Sequence, residues 1–201
     1  MLGSSIGSLT NPKKIADSFS SNGIKGVSNN TINSYINYLQ EAFMVNKVER
    51  YDIKGKKYIS TPSKYYFSDI GLRNARLNFR QQEENHIMEN VIYNELLVRG
   101  FNVDVGVVEH RTTDLKGMTI RKQLEVDFVC NQGSKRYYIQ SAFSIPDREK
   151  MEQEQNSLVR IDDSFKKIIV TKDTGKLWRN ERGIVIINIK DFLLNQDSLD
   201  L

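Results

Sequence analysis

The chain has 201 residues, of which 39% are hydrophobic and 27% are charged, so it can bury one large core or two small ones, and we expect two. Its 29 Lys and Arg residues outnumber its 25 Asp and Glu residues, and the net charge of +4 fits nucleic-acid contact without requiring it. The single cysteine, Cys130, excludes an intrachain disulfide and a cysteine-rich zinc site.

Targeting and nucleotide-binding signals are missing from the sequence. No apolar run approaches the roughly 18 residues that a membrane span requires. The first ten residues lack the basic region and apolar core of a secretory signal, which together with the lone cysteine predicts a cytoplasmic protein without membrane contact. No GxxxxGK(S/T) loop occurs, so a nucleotide-phosphate site of that type is not expected in these residues.

The first 80 residues predict two helices and a hairpin. Asn11-Pro12 is typical of a helix start. A second helix, capped by Ser28 or Asn29, is indicated by apolar residues spaced three to four apart. We expect that stripe to be core, and it consists of Ile32, Tyr35, Ile36, Leu39 and Phe43.

A basic turn at Lys54-Gly55-Lys56 then separates two predicted strands, at 45–53 and 57–59. A further short strand is expected at 64–67 and a helix at 70–77. Two helices followed by a hairpin with a basic tip is the order of a winged helix-turn-helix. The sequence therefore predicts a winged-helix domain over residues 1–80.

In such a fold the second helix commonly enters the major groove and the wing contacts phosphate. Asn33 and Asn37 on the helix could pair with adenine. The helix has no Lys or Arg, so the wing is the stronger electrostatic candidate, with Lys54, Lys56 and Lys57 facing phosphate. An equally weighted alternative is a winged helix that packs on another domain, its lysines keeping a hairpin edge soluble.

Residues 81–201 predict an α/β domain with a mixed sheet. A polar stretch at 78–84 makes the boundary, and Gly100 ends the first helix of the domain. The expected order is a helix, three strands, a helix, two strands and a helix, which is typical of an α/β fold. In that order, the predicted elements span 86–99, 101–109, 122–131, 136–143, 146–160, 167–171, 184–189 and 191–194.

The second of these strands carries two acids. Because side chains two apart share a face of a strand, Glu125 and Asp127 should project together and Val126, Phe128 and Cys130 should project the other way. The next strand should place Gln140 and Ala142 on one face. A carboxylate beside an amide oxygen could begin the octahedral shell of Mg²⁺.

Nuclease chemistry also requires a group that stabilises developing charge, commonly a lysine ammonium. Two residues after Gln140 the sequence has Ala142, which supplies no charge. A large class of metal-dependent nucleases has a lysine at this position, so the resemblance to that class implies a metal-nuclease ancestry together with a loss of the chemistry. The alternative is an ordinary amphipathic hairpin with solvated acids.

The element order, with Glu89, Asp127 and Gln140, resembles the restriction-endonuclease-like superfamily and its PD-(D/E)xK motif. The whole chain also resembles the C-terminal half of a family of bacterial and archaeal predicted AAA-type P-loop ATPases whose tail is a domain of unknown function. The segments that carry this second resemblance are 28–32, 66–72, 88–96, 125–128 and 138–140.

The resemblance implies a helix acid at Glu89, a strand acid at Asp127 and a second metal-site position at Gln140. It also implies Mg²⁺ as a possible cofactor, bound by Asp127 and Gln140. Glu95 is an alternative to Glu89, although six helical residues rotate it by about 240°. The superfamily's lysine falls on Ala142. The ATPase module, with its ATP, would lie upstream in the same polypeptide.

These observations predict a non-catalytic C-terminal module of an ATPase, which binds DNA through its winged helix and carries a degenerate nuclease-like domain. One alternative is an active divalent-metal nuclease with a lysine supplied from elsewhere in the chain. The other is a protein-assembly module without nucleic-acid contact.

Overall fold

The computed structural model describes residues 1–80, 83–113, 117–173 and 175–201. Within these residues the helices α1 to α6 are Pro12–Ser21, Asn29–Glu41, Ile70–Arg76, Glu84–Val98, Arg148–Gln155 and Ile189–Leu194. The strands β1 to β8 are Val45–Asp52, Lys57–Phe67, Asn102–Thr113, Thr119–Gln132, Lys135–Ala142, Lys166–Thr171, Trp178–Arg179 and Val185–Asn188. Short 3-10 helices occur at Leu2–Ser5 and Leu158–Arg160. The α/β class predicted from the sequence is confirmed.

Local side chains begin the helices where the sequence predicts it. Pro12 occupies the first turn of α1, and the Asn11 side chain accepts a hydrogen bond from the Lys13 N–H at 2.9 Å. Ser28 caps α2, because its Oγ accepts from the Thr31 N–H at 3.1 Å and the Thr31 hydroxyl accepts from the Ser28 N–H. These caps satisfy amide donors that have no partner inside the helix.

The described strands form one mixed sheet in the order β2-β1-β3-β4-β5-β6-β8-β7. β3, β4 and β5 are antiparallel neighbours, whereas β5, β6 and β8 run parallel, with α5 in the connection from β5 to β6. The mixed sheet predicted from the sequence is thus confirmed. The strand β7, which the sequence did not predict, places Trp178 opposite Ile186 at the edge of the sheet.

Several strands are longer than the sequence suggests. β2 runs without interruption to Phe67, so the separate strand predicted at 64–67 is its continuation. β3 reaches Thr113 and β4 begins at Thr119, several residues beyond the predicted limits. The added residues are polar apart from Ile120, and polar strands carry little apolar periodicity by which to detect them.

The chain folds into two compact units, of which the first comprises 1–50 and 59–90 and the second 51–58 and 91–201. The sequence had placed the boundary after residue 80. In the first unit the Asn90 side chain donates to the Phe67 carbonyl and accepts from the Phe67 N–H, both at 2.7 Å, which ties α4 to the end of β2. The hairpin tip belongs to the second unit, where the Ile53 N–H donates to the Val107 carbonyl at 3.1 Å.

Each unit has its own apolar cluster. That of the first unit consists of Ala16, Ile32, Ile36 and Tyr65. That of the second consists of Val108, Val126, Val129, Tyr138, Ala142, Leu158, Ile161, Ile169, Ile184 and Ile186.

The α2 stripe was only partly predicted. Ile32 and Ile36 are buried, but Tyr35 is 60% exposed and Phe43 is 83% exposed, so their assignment to the core was wrong. Tyr35 lies one residue, or about 100° of helix, from Ile36. Phe43 follows the residue that caps the end of α2 and has a positive φ of 54°, so it lies outside the helical periodicity that placed it in the stripe.

Candidate functional site

The predicted acid at Asp127 lies in a β-bulge of β4. The register shifts between two antiparallel pairs, Asp104–Val129 and Gly106–Val126. Asp127 and Phe128 together therefore oppose the single residue Val105. Because the extra residue reverses the alternation, Val126 and Val129 join the same apolar cluster, and the regular alternation predicted for 125–130 is wrong.

Gly106 makes room for this bulge. A Cβ atom at residue 106 would lie 2.8 Å from the Val126 Cβ and 2.9 Å from the Val129 Cγ2, closer than packed carbons tolerate. A glycine inside an apolar strand is the one sequence signal that could have predicted the bulge.

Asp127 is 7% exposed, and its Oδ2 accepts a hydrogen bond from the Ser141 N–H at 2.8 Å. The β4–β5 pairs end at Phe128–Ile139, so Ser141 lies just beyond the last pair. The carboxylate therefore satisfies a backbone donor where the β4–β5 ladder stops. This bond is structural, and it occupies one of the two oxygens that a metal would use.

Gln140 is the residue before Ser141 in the chain. It lies one residue beyond the last β4–β5 pair on β5, and Asp127 lies one residue beyond the same pair on β4. Its Oε1 is buried and has no hydrogen-bond partner among the described residues. Across the residues that the structure describes, no group of three or more His, Cys, Asp or Glu side chains could hold a metal ion.

Ala142 lies at the position where the sequence resemblance would place a lysine. It is 1% exposed and belongs to the apolar cluster of the second unit, together with Tyr138, Leu158 and Ile169. A lysine at this place would have to bury its ammonium group among hydrocarbon side chains.

Glu89 lies in the first unit, on α4, and is 8% exposed. Its Oε1 accepts hydrogen bonds from the Lys64 Nζ at 2.8 Å and from the Tyr66 hydroxyl at 2.6 Å. The Lys64 side chain is 3% exposed, so this is an ion pair removed from solvent. The alternative acid, Glu95, belongs to the second unit and accepts from the Arg99 Nε at 2.8 Å. Each predicted helix acid is therefore paired with a cation from its own unit.

The predicted DNA-facing residues of α2 are accessible. Asn33 is partly exposed and Asn37 is exposed, with its Oδ1 accepting from the Gln40 Nε2 at 3.3 Å. Tyr35 and Tyr38, which the sequence did not mark as surface residues, add two exposed rings in an edge-to-face arrangement, with centroids 6.4 Å apart.

The hairpin tip lies where the sequence predicts it, and Lys54, Lys56 and Lys57 are all exposed. Asp52 closes the turn, because its Oδ1 accepts from the Gly55 N–H at 2.8 Å. On the other side of the tip the Tyr58 hydroxyl donates to the Asp104 carboxylate at 3.2 Å. The tip is thus anchored on β3 of the second unit.

A polar groove of about 590 Å³ lies beside this tip in the second unit. Cations from three separate elements line it: Lys54 from the hairpin, Arg111 from β3 and Arg160 from the 3-10 helix. The remaining lining residues are Glu109, His110 and Val159. Sequence analysis found Lys54 and missed both arginines, because neither lies in the basic run that marked the turn.

No described helix has the length and hydropathy that crossing a membrane requires.

Comparisons with known proteins match this chain to a family model and to a curated relative whose descriptions state no function. A family model described as a domain of unknown function, DUF8612, matches residues 1–83. A protein of Haemophilus influenzae described as uncharacterized is 34% identical over 195 residues, which are 96% of this chain and 44% of the relative. The chain thus spans less than half of the length of this curated relative. No solved structure matches the chain.

Proposed function

We propose that this chain is a nucleic-acid-binding, non-hydrolytic module of a larger cytoplasmic polypeptide with an AAA-type ATPase upstream. The observation that carries the proposal is the groove beside the hairpin tip, where Lys54, Arg111 and Arg160 converge from three elements. Cations brought together by tertiary structure are arranged to meet an extended anion, and the phosphate backbone of a nucleic acid is such an anion.

Electrostatics makes this proposal measurable. Each phosphate contact releases condensed counterions, so the logarithm of affinity for duplex DNA falls with the logarithm of salt concentration by about 0.9 per contact. Glu109 lines the same groove with a single negative charge, against the three positive charges of Lys54, Arg111 and Arg160. The groove therefore keeps a positive balance.

The acid positions favour binding without hydrolysis. Glu89 is already paired with Lys64, and Ala142 fills an apolar cluster. A metal nuclease needs its acids available and a cation beside the attacking water. Magnesium- or manganese-dependent cleavage of DNA that Asp127→Ala abolishes would replace this proposal with the nuclease alternative.

The ATPase part of the proposal draws on the resemblance of segments 28–32 and 66–72 and on the length of the Haemophilus relative, of which this chain matches 44%. The DUF8612 match covers the part of this chain that the winged-helix prediction concerns. Sequencing the reading frame around the chain tests this part directly. An adjoining P-loop motif is expected, and a frame without one removes the ATPase from the proposal.

The binding test uses fluorescence anisotropy of a labelled DNA duplex at salt concentrations from roughly 50 to 200 mM. Lys54→Gln/Arg160→Gln should weaken binding by about tenfold and lower the salt slope by about two. The control, Lys176→Gln/Lys190→Gln, removes the same charge at exposed positions outside the groove and should bind like the parent. Absence of any affinity at the lowest salt concentration would reject the proposal.

Protein assembly is a second candidate, favoured by the exposed aromatic residues of the first unit. Tyr35, Tyr38 and Phe43 are 60%, 61% and 83% exposed. Exposed aromatic side chains that cluster on a surface commonly mark an interaction site. Light scattering should then show concentration-dependent association that Tyr35→Ser/Tyr38→Ser removes, and a strictly monomeric parent would exclude self-assembly.

A further inference from the structure

The outer part of the β3–β4 hairpin is a polar two-stranded arm, which we call the basic ribbon, residues 109–113 and 119–123. Its antiparallel pairs are Glu109–Gln123, His110–Lys122, Arg111–Arg121, Thr112–Ile120 and Thr113–Thr119. Residues 114–116 lie outside the described residues. The ribbon is part of the second unit.

Two arginine side chains oppose one another on this ribbon, because Arg111 faces Arg121. In the neighbouring pair His110 faces Lys122. Like charges directly opposite each other destabilise a strand pair. The contact of Arg121 with Glu109, at 3.8 Å, is long for an ion pair and both side chains are largely exposed, so it offsets little of this repulsion. The opposed arginines lower the stability of the isolated protein. Binding of an anion to these arginines would offset that cost and so explain why the arrangement occurs.

The ribbon also leaves the apolar core behind. Residues 119–123 of β4 are exposed, whereas Val126, Phe128 and Cys130 of the same strand are fully buried. On β3 the change comes between Val108, which is buried, and Glu109, which is exposed. Apolar packing therefore does not account for the length of these strands.

The dimensions of the ribbon suit one form of nucleic acid. Five residue pairs extend for roughly 15 Å. The major groove of B-form DNA is about 12 Å wide and admits a two-stranded ribbon. The major groove of an A-form RNA helix is deep and too narrow for side chains to read.

We infer that the basic ribbon enters the major groove of duplex DNA, an inference that rests on the proposed nucleic-acid binding. Because side chains alternate along a strand, Arg111 and Arg121 share one face and His110 and Lys122 share the other. The arginine face meets the base edges, where guanine presents N7 and O6 as acceptors. Lys54 and Arg160 of the adjoining groove then hold the phosphate backbone.

The experiment compares Arg111→Gln/Arg121→Gln with Lys54→Gln/Arg160→Gln and with the Lys176→Gln/Lys190→Gln control. Each protein is titrated into a DNA duplex, an RNA duplex of the same sequence and a DNA duplex with 7-deazaguanine in place of guanine. The parent should bind the DNA duplex at least about tenfold more tightly than the RNA duplex and should lose several-fold in affinity when the N7 acceptor is removed.

The ribbon variant should lose both preferences and, because Arg111 also lines the groove, should bind the DNA duplex more weakly. The groove variant should bind every duplex more weakly but should keep both preferences. Equal affinity of the parent for the DNA, RNA and deazaguanine duplexes would overturn the major-groove inference while leaving the groove proposal standing. Loss of both preferences in the groove variant but not in the ribbon variant would also overturn it. Absence of binding to any duplex at low salt overturns the proposed function itself. Urea titration monitors folding, and the ribbon variant should be at least as stable as the parent because the change removes a repulsion between exposed side chains.

Discussion

Glu89 in the first unit and Asp127 in the second are both buried acids, but their partners differ in kind. Glu89 accepts from a lysine ammonium and a tyrosine hydroxyl, whereas Asp127 accepts from the backbone N–H of Ser141. The motif assigned both acids to one degenerate catalytic site. A carboxylate in a motif position can therefore serve a structural role, either by pairing with a cation or by accepting a hydrogen bond from a backbone N–H at the end of a strand ladder.

The two settings also differ in what a substitution leaves behind. Removing Lys64 leaves the buried Glu89 carboxylate without that ammonium, and removing Asp127 leaves the Ser141 N–H without that carboxylate. A buried charge without a partner costs more than an unmatched hydrogen-bonding group. Substitutions at Ala142, Lys64, Asp127 and Tyr138 test that ranking, from the largest expected effect to the smallest.

Ala142→Lys should have the largest effect, a loss of roughly 5 kcal/mol, because at neutral pH the buried ammonium must lose its proton and the apolar cluster must expand. Urea denaturation at pH 7 measures it. Ala142→Met is the matched control, since methionine adds similar length without charge and should cost about 1 to 3 kcal/mol. If Ala142→Lys kept the parental stability and cleaved DNA with magnesium, the view that this position is apolar core would be contradicted.

Lys64→Met should destabilise the first unit by about 3 to 5 kcal/mol, because it leaves the Glu89 carboxylate buried without its cation. Lys64→Met/Glu89→Gln should recover most of this loss, since the amide removes the charge and still accepts from the Tyr66 hydroxyl. Urea midpoints of the parent and the two variants provide the test. A double variant no more stable than Lys64→Met would show that the ion pair is not the source of the effect.

Asp127→Ala should cost about 1 to 3 kcal/mol, because the Ser141 N–H loses its acceptor in a buried setting. Asp127→Asn keeps an oxygen for that donor and should lie much closer to the parent. Glu152→Gln, at an exposed acid of the same unit, controls for the loss of one charge. If Asp127→Asn proved as damaging as Asp127→Ala, charge rather than hydrogen bonding would be the role of this residue.

Tyr138→Phe should have the smallest effect near neutral pH, about 1 kcal/mol, through loss of the hydrogen bond that the Tyr138 hydroxyl donates to Asp163 at 2.6 Å. Burial, with that hydrogen bond, raises the pKa of Tyr138 from 10.0 to about 12. The folded protein therefore holds this proton more tightly than the unfolded chain. The associated stability is fully present below pH 10 and is lost as the pH rises toward 12.

The difference in stability between the parent and Tyr138→Phe should accordingly shrink between pH 10 and pH 12. Denaturation at several pH values in that range measures it. Tyr35→Phe, at an exposed tyrosine, controls for the loss of a hydroxyl. A difference that stays constant across the range would mean that Tyr138 does not contribute through its proton.

Much of the secondary structure was predictable because its signals are local. Asn11-Pro12 and Ser28 begin helices through bonds to residues two or three positions away, and Gly100, with a φ of 82°, ends α4. The bulge at Asp127 was not predicted, because it depends on how Gly106 of a different strand packs against Val126 and Val129. The strand β7 was missed because two residues are too few to show a period.

The candidate site divides in the same way. The exposed lysines at the hairpin tip and the alanine at residue 142 follow from the sequence alone, since turn chemistry and motif spacing identify both. The groove does not follow from it, because Lys54, Arg111 and Arg160 are far apart in the chain. The partner of Glu89 is likewise 25 residues away, on β2.

By itself the sequence determined the helix caps, the hairpin turn, the α/β class and the absence of a lysine two residues after Gln140, because each depends on neighbours within a few positions. Only the tertiary structure decided which cation pairs with Glu89, which backbone donor Asp127 satisfies and which arginines join Lys54. Those pairings depend on strand register, where a single bulge residue changes the face on which every later side chain lies.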